Sequence, residues 1–279
     1  MLGLTACSSQ DVREAWQSSK GVVVRAASVT VDTLNPVNIG GFVADALFGV
    51  LTQTGYFLSD LFGEPGDRED EYRSLALIKG CEHAIPVIQK AAARTRVSPN
   101  YLLALAKQES GCRSNARAKS SSAVGMFQFV EATWLSTLHS HGAKYGYRDM
   151  ATSIVTDSRG RPRVLSRAKR AEILAKRMDA QLSAYLAAEL ALENARFIRA
   201  NKGSQRLSAT DLYMAHFLGA PGALRFLTEL DRNPNGAAHR LLPAAARSNP
   251  SVFFVRANRG NPRSFKEVYS IFERRIKAV

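Results

Sequence analysis

Glu109 and the run Gly125-Met-Phe-Gln128 are the residues whose types and spacing could do chemistry. The carboxylate closes the segment Ser98-Pro-Asn-Tyr-Leu-Leu-Ala-Leu-Ala-Lys-Gln-Glu-Ser110, and the glycine follows it sixteen residues later. A carboxyl group at the end of an apolar helix, followed by a glycine-anchored polar loop, can form a glycosidase general acid. Burial would disfavour its charged form and raise its pKa, as a proton donor near neutral pH requires. The competing reading is a solvated glutamate at a helix end. Gly125 permits positive φ and a close backbone approach to a ligand. Gln128 offers both a donor and an acceptor to a sugar hydroxyl or amide. Met126 and Phe127 could form an apolar platform for a sugar face or pack in the core.

The elements that must position these residues are helical. Ser98 is a good N-cap, and Pro99 falls at the first helical position, where its missing N–H costs nothing. Leu102, Leu105, Ala106 and Glu109 share one face of a 3.6-residue period, which predicts that Glu109 is carried toward the core. Periodicity predicts further helices near 81–95, 129–142, 166–176, 179–200, 208–218, 220–230 and 263–277. An irregular section lies between Gly142 and Pro162. Asp157-Ser-Arg-Gly160 and Asn233-Pro-Asn-Gly236 read as turns. The chain divides into an N-terminal extension, 1–78, and a mainly α domain, 79–279. The extension contains an apolar amphipathic segment, 40–62, suited to packing on the main domain or a partner protein. Its acidic, turn-rich linker is Gly63 to Glu71.

Four blocks in order resemble the soluble lytic transglycosylases, enzymes with a goose-type-lysozyme-like catalytic domain. Gln108-Glu109-Ser110 is similar to their Glu-Ser motif. Ser120-Ser-Ser-Ala-Val-Gly-Met-Phe-Gln-Phe129 resembles their Gly-Leu-Met-Gln block, with Phe127 in place of the usual Met. Glu189-Leu-Ala-Leu-Glu-Asn194 falls where the family has an Asn-bearing helix. Asp211-Leu-Tyr-Met-Ala-His-Phe-Leu-Gly219 occupies the place of the Ala-Tyr-Asn-Ala-Gly block, with His216 and Phe217 where Tyr and Asn are common. The resemblance spans about residues 81–230. It implies a lysozyme-like helical fold, with Glu109 as the catalytic residue. Ser110, Ser122, Gly125, Met126, Phe127, Gln128, Asn194, Tyr213 and His216 would then be substrate contacts. Asn194 could equally be an exposed polar residue, and His216 a satisfied core histidine. Tyr213 lies about one helical turn before His216, so either ring could meet the catalytic carboxyl.

Ordinary glycosidases use two carboxylates. Glu131, Asp149, Glu189 and Glu193 are available, but none has a context as strong as that of Glu109. The resemblance implies a mechanism with one: Glu109 protonates the bond between N-acetylmuramic acid and N-acetylglucosamine, then removes the C6 hydroxyl proton, giving a 1,6-anhydromuramoyl end. No cofactor or metal is expected, since His139 and His141 lack further ligands at a suitable spacing. The alternatives are a hydrolytic muramidase and a non-catalytic cell-wall-binding scaffold.

A net charge of +14 points to a polyanionic partner. Peptidoglycan strands fit. Nucleic acid is not expected, because the cluster Arg159, Arg161, Arg163, Arg167, Lys169, Arg170 lacks aromatic interleaving and reads as a solvated loop and helix start. Leu4-Thr-Ala-Cys7 resembles a lipobox, although Met1 to Ala6 is short for a signal. Cleavage before Cys7 and lipidation of its thiol would anchor a periplasmic protein to the outer membrane. Cys81 and Cys112 could form a disulfide in an oxidising compartment or remain two reduced thiols. No uninterrupted apolar stretch of about 20 residues is present.

Overall fold

The computed structural model describes residues 78–119, 121–203, 207–255 and 260–277. Cys7, the 40–62 segment and the acidic linker lie outside the described residues. The described chain is mainly helical: α1 (Ile85–Thr95), α2 (Pro99–Ser110), α3 (Glu131–His141), α4 (Arg148–Thr152), α5 (Arg167–Ala175), α6 (Ala180–Lys202), α7 (Ala209–Leu218), α8 (Ala220–Arg232), α9 (Ala238–Leu241), α10 (Pro243–Ser248), α11 (Pro250–Phe253) and α12 (Phe265–Lys277). Helix starts follow local chemistry. Ser98, Ser166 and Asp179 accept from the backbone N–H groups of Tyr101, Lys169 and Leu182. Ser208 and Asp211 form a capping box at α7.

The axis of the fold is α6. It is rich in alanine, and Ala184, Ala187, Ala188, Ala191 and Ala195 are all buried. Such small side chains let neighbouring helices approach closely, and α1, α3, α7 and α8 all pack on it. α12 closes the other side of α7 and also reaches α2. Phe272 of α12 lies 4.8 Å from the Phe217 ring and 5.5 Å from that of Tyr213, centroid to centroid.

The structure changes the expectation for α2. Leu102, Leu105 and Ala106 are buried, but so are Tyr101, Leu103 and Ala104 on the other faces. The helix is enclosed on all sides rather than amphipathic, which is what an apolar all-round pattern means in a globular protein. Gly111 stops it at φ 63°, and the N–H groups of Gly111 and Cys112 bond back to the carbonyls of Lys107 and Ala106. Cys81 and Cys112 are joined by a disulfide, so the end of α2 is tied to the turn before α1. The His83 ring adds a 2.8 Å hydrogen bond to the Cys112 carbonyl.

The irregular section holds α4 and a small antiparallel hairpin, β1 (Val155–Thr156) and β2 (Pro162–Arg163). Asp157 anchors its turn. Hydrogen bonds from the Arg161 and Arg159 backbones and from the Arg161 and Arg163 side chains hold the Asp157 carboxyl below the usual range. The arginine cluster is therefore a solvated hairpin and helix start. The short helices α9, α10 and α11 were not legible from periodicity, because each is too brief to show a period of 3.6.

Candidate active site

Glu109 sits one residue before the end of α2, with its side chain 11% exposed. His216 of α7 lies beside it, with Nε2 3.5 Å from Oε1. Tyr213 and Tyr101 complete the surroundings. Both are buried, and burial together with the nearby Glu109 carboxylate pushes each phenol well above the ordinary tyrosine range. Each ring is therefore a neutral phenol at physiological pH. Among the described residues the buried Tyr213 hydroxyl has no hydrogen-bond partner. The Arg275 guanidinium acts on it from α12 and opposes the effect of Glu109. Gln108 fixes that side of the site by donating from Nε2 to the Arg275 carbonyl at 2.8 Å.

Ser110 is buried and faces inward. Its hydroxyl lies 2.7 Å from the Met126 carbonyl and 3.2 Å from that of Ala106. The hydroxyl thereby ties the end of α2 to the glycine loop. The loop itself is a compact turn. Val124 N–H donates to Phe129, Gly125 N–H to Ala116 and Gln128 N–H to Gly125. Gly125 adopts φ 88°, and Gln128 takes the left-handed region at φ 49°. The Gln128 amide nitrogen donates to the carbonyls of Gly125 (2.8 Å) and Ala116 (3.3 Å). Its donor capacity braces the loop, and Oε1 remains the atom to accept from a ligand.

Of the two readings of Met126 and Phe127, core packing describes the structure. Met126 is 1% exposed and Phe127 is fully buried, so both pack in the core and present no face to a ligand. Gln128, the next residue, is half-buried at the surface. Ser122 is exposed, and its hydroxyl accepts from Glu131 N–H at the start of α3. Asn194 is buried on α6 rather than exposed, and no hydrogen bond joins it to Glu109 or to the loop. Trp134 lies beneath the loop, donating from Nε1 to the Ile173 carbonyl and meeting Phe129 edge-on at 5.3 Å.

Of the other acids, Asp149 is exposed and the remaining three are engaged elsewhere. Glu131 pairs with Arg170. Glu189 is buried and receives Lys144 Nζ and the Tyr145 hydroxyl, each at 2.5 Å. Burial raises its pKa, but those two hydrogen bonds and the His141 charge together bring it below the ordinary range. His141 also meets Glu193 at 2.7 Å. His139 turns instead to the Ala151 carbonyl. Among the described residues no group of three His, Cys, Asp or Glu side chains is placed to hold a metal.

Arg177 is a site element that sequence reasoning missed. It is buried between α5 and α6, and its guanidinium bonds to loop carbonyls that no local pattern links to it. Desolvation lowers its pKa, which the more distant Glu131 charge opposes.

A helical domain thus presents a nearly buried carboxyl group, a histidine and two neutral phenols beside a braced glycine loop. Residues 86–156, which include both Glu109 and the loop, match the family described as Transglycosylase SLT domain. The match supports the resemblance to the soluble lytic transglycosylases and the lysozyme-like helical class, together with a peptidoglycan-acting function of the transglycosylase type.

Proposed function

We propose that this chain is a peptidoglycan lytic transglycosylase that cleaves the β-1,4 bond between N-acetylmuramic acid and N-acetylglucosamine, with Glu109 as acid and then base. The observation that carries the reading is the hydrogen bond from Ser110 to the Met126 carbonyl. It makes the carboxyl group of the preceding residue and the sugar-binding loop one rigid unit, as positional catalysis needs.

In the first step the Glu109 carboxyl proton passes to the glycosidic oxygen while the bond from C1 to that oxygen breaks. The N-acetyl carbonyl of the muramic acid supports the electron-poor C1. In the second step the C6 oxygen attacks C1, and its proton returns to the Glu109 carboxylate. The enzyme ends as it began, and the product is a 1,6-anhydro end formed without water. Engagement of Glu131, Glu189 and Glu193 by basic partners supports a reaction that relies on one carboxyl group.

The Cys81–Cys112 disulfide supports an oxidising compartment, and we place the protein in the periplasm with Cys7 as its outer-membrane anchor. The +14 charge would hold anionic wall strands in a salt-sensitive manner. Mass spectrometry of digested peptidoglycan tests the chemistry. Fragments with anhydro ends, lighter by one water, are expected. Reducing ends would indicate a muramidase, and binding without fragment release a scaffold.

A further inference from the structure

We propose that Arg177 is a positioning residue that clamps the Ser122–Phe129 loop and, through it, sets the loop against Glu109. The role in catalysis rests on the transglycosylase reading above, while the clamp itself does not.

Arg177 closes the turn between α5 and α6 and is 8% exposed. Its Nη1 donates to the carbonyl of Ser122 at 2.5 Å and to that of Phe129 at 3.3 Å. One nitrogen thereby holds both ends of the loop. Its Nε donates to the Leu174 carbonyl at 3.0 Å, which fixes the guanidinium on its own turn.

The Arg177 backbone makes a second contact. A Cβ atom added at Gly125 would fall 2.0 Å from the Arg177 carbonyl oxygen. The glycine therefore packs on the same residue whose side chain grips the loop ends. The loop is then joined to α2 by the bond from Ser110 to Met126. A continuous path runs from Arg177 through the loop to the residue adjoining the acid.

The guanidinium is suited to this work because its planar fork fixes several donors at once. A lysine supplies a single ammonium on a flexible stem. Burying the charge among carbonyl oxygens is costly unless its donors are directed, as Nε and Nη1 are here. The arrangement holds together only if the loop stays where it is.

The test uses the full chain with Arg177→Lys and Arg177→Met, both checked for native helicity at the assay temperature. Displacing a loop by about 1 Å can lower turnover on the order of a hundred-fold. The expected result is a kcat loss of about ten- to a hundred-fold, larger for Met than for Lys. Affinity for isolated cell walls should change far less. Hydrogen exchange at Gly125 and Gln128 should accelerate in both variants while α6 amides keep their protection. Folded variants with wild-type kcat would overturn the catalytic role. Unchanged protection at Gly125 and Gln128 would overturn the clamp, whether or not wild type cleaves peptidoglycan. Failure of wild type to release any fragment defeats the transglycosylase reading and the catalytic role that rests on it. In that case exchange still decides the clamp, and if Met does not fold, Lys supplies both readouts.

Discussion

His216 Nε2 lies 3.5 Å from Glu109 Oε1, although 107 residues separate them in the chain. The imidazole holds the position from which a ring can orient the carboxyl group, while Tyr213 stays buried behind it with its hydroxyl unbonded.

Replacing His216 with Ala, which removes the ring 3.5 Å from Glu109 Oε1, should lower the rate of muropeptide release by about ten- to a hundred-fold, the scale on which misplacing a catalytic group slows turnover. His216→Gln, which retains a donor, should lose less. Equal rates for the Ala variant and wild type would remove the ring from the mechanism.

Glu109→Gln should keep the fold and the affinity for cell walls but lose about a hundred- to ten-thousand-fold in cleavage, the usual contribution of a general acid–base group. Turbidity clearing of purified walls measures this directly. A variant that clears walls as fast as wild type would exclude Glu109.

Gly125→Ala meets two penalties: a backbone at φ 88° and a Cβ 2.0 Å from the Arg177 carbonyl. Strain and overpacking together should cost about 2–4 kcal/mol, seen as a lower urea midpoint. An unchanged midpoint would contradict the close approach.

Reducing the Cys81–Cys112 disulfide, which spans 31 residues, should destabilise the domain by about 3–4 kcal/mol on the chain-entropy account. Cys81→Ala with Cys112→Ser should match the reduced protein. Unfolding curves that coincide with and without reductant would show that the bond does not restrain the end of α2.

Glu189→Gln tests the buried pair with Lys144 and Tyr145. At pH 7 the loss should be about 1–3 kcal/mol, as for hydrogen bonds to a charged group. The folded-state pKa is depressed. The stabilisation is therefore fully present above the unfolded pKa, near 4.5, and is lost as pH falls through the folded value. Urea unfolding at pH 7 and pH 3 should show the gap between wild type and variant narrowing in acid. A gap that widens would reverse the sign.

The sequence by itself determined the local elements. Ser98 and Pro99 announced the start of α2, and periodicity placed α7 near 208–218, because caps and 3.6-residue periods are settled within a few residues. It also singled out Glu109, Gly125 and Gln128 as candidates for chemistry. Only the tertiary structure decided that His216 lies 3.5 Å from Glu109 Oε1, and that the Ser110 hydroxyl bonds to the loop backbone. It alone showed Met126 and Phe127 turned inward and Gly125 packed on Arg177. These relations join segments brought together by packing around α6 and α12. A contact between distant segments depends on how whole helices pack, and that information is in no short stretch of residues.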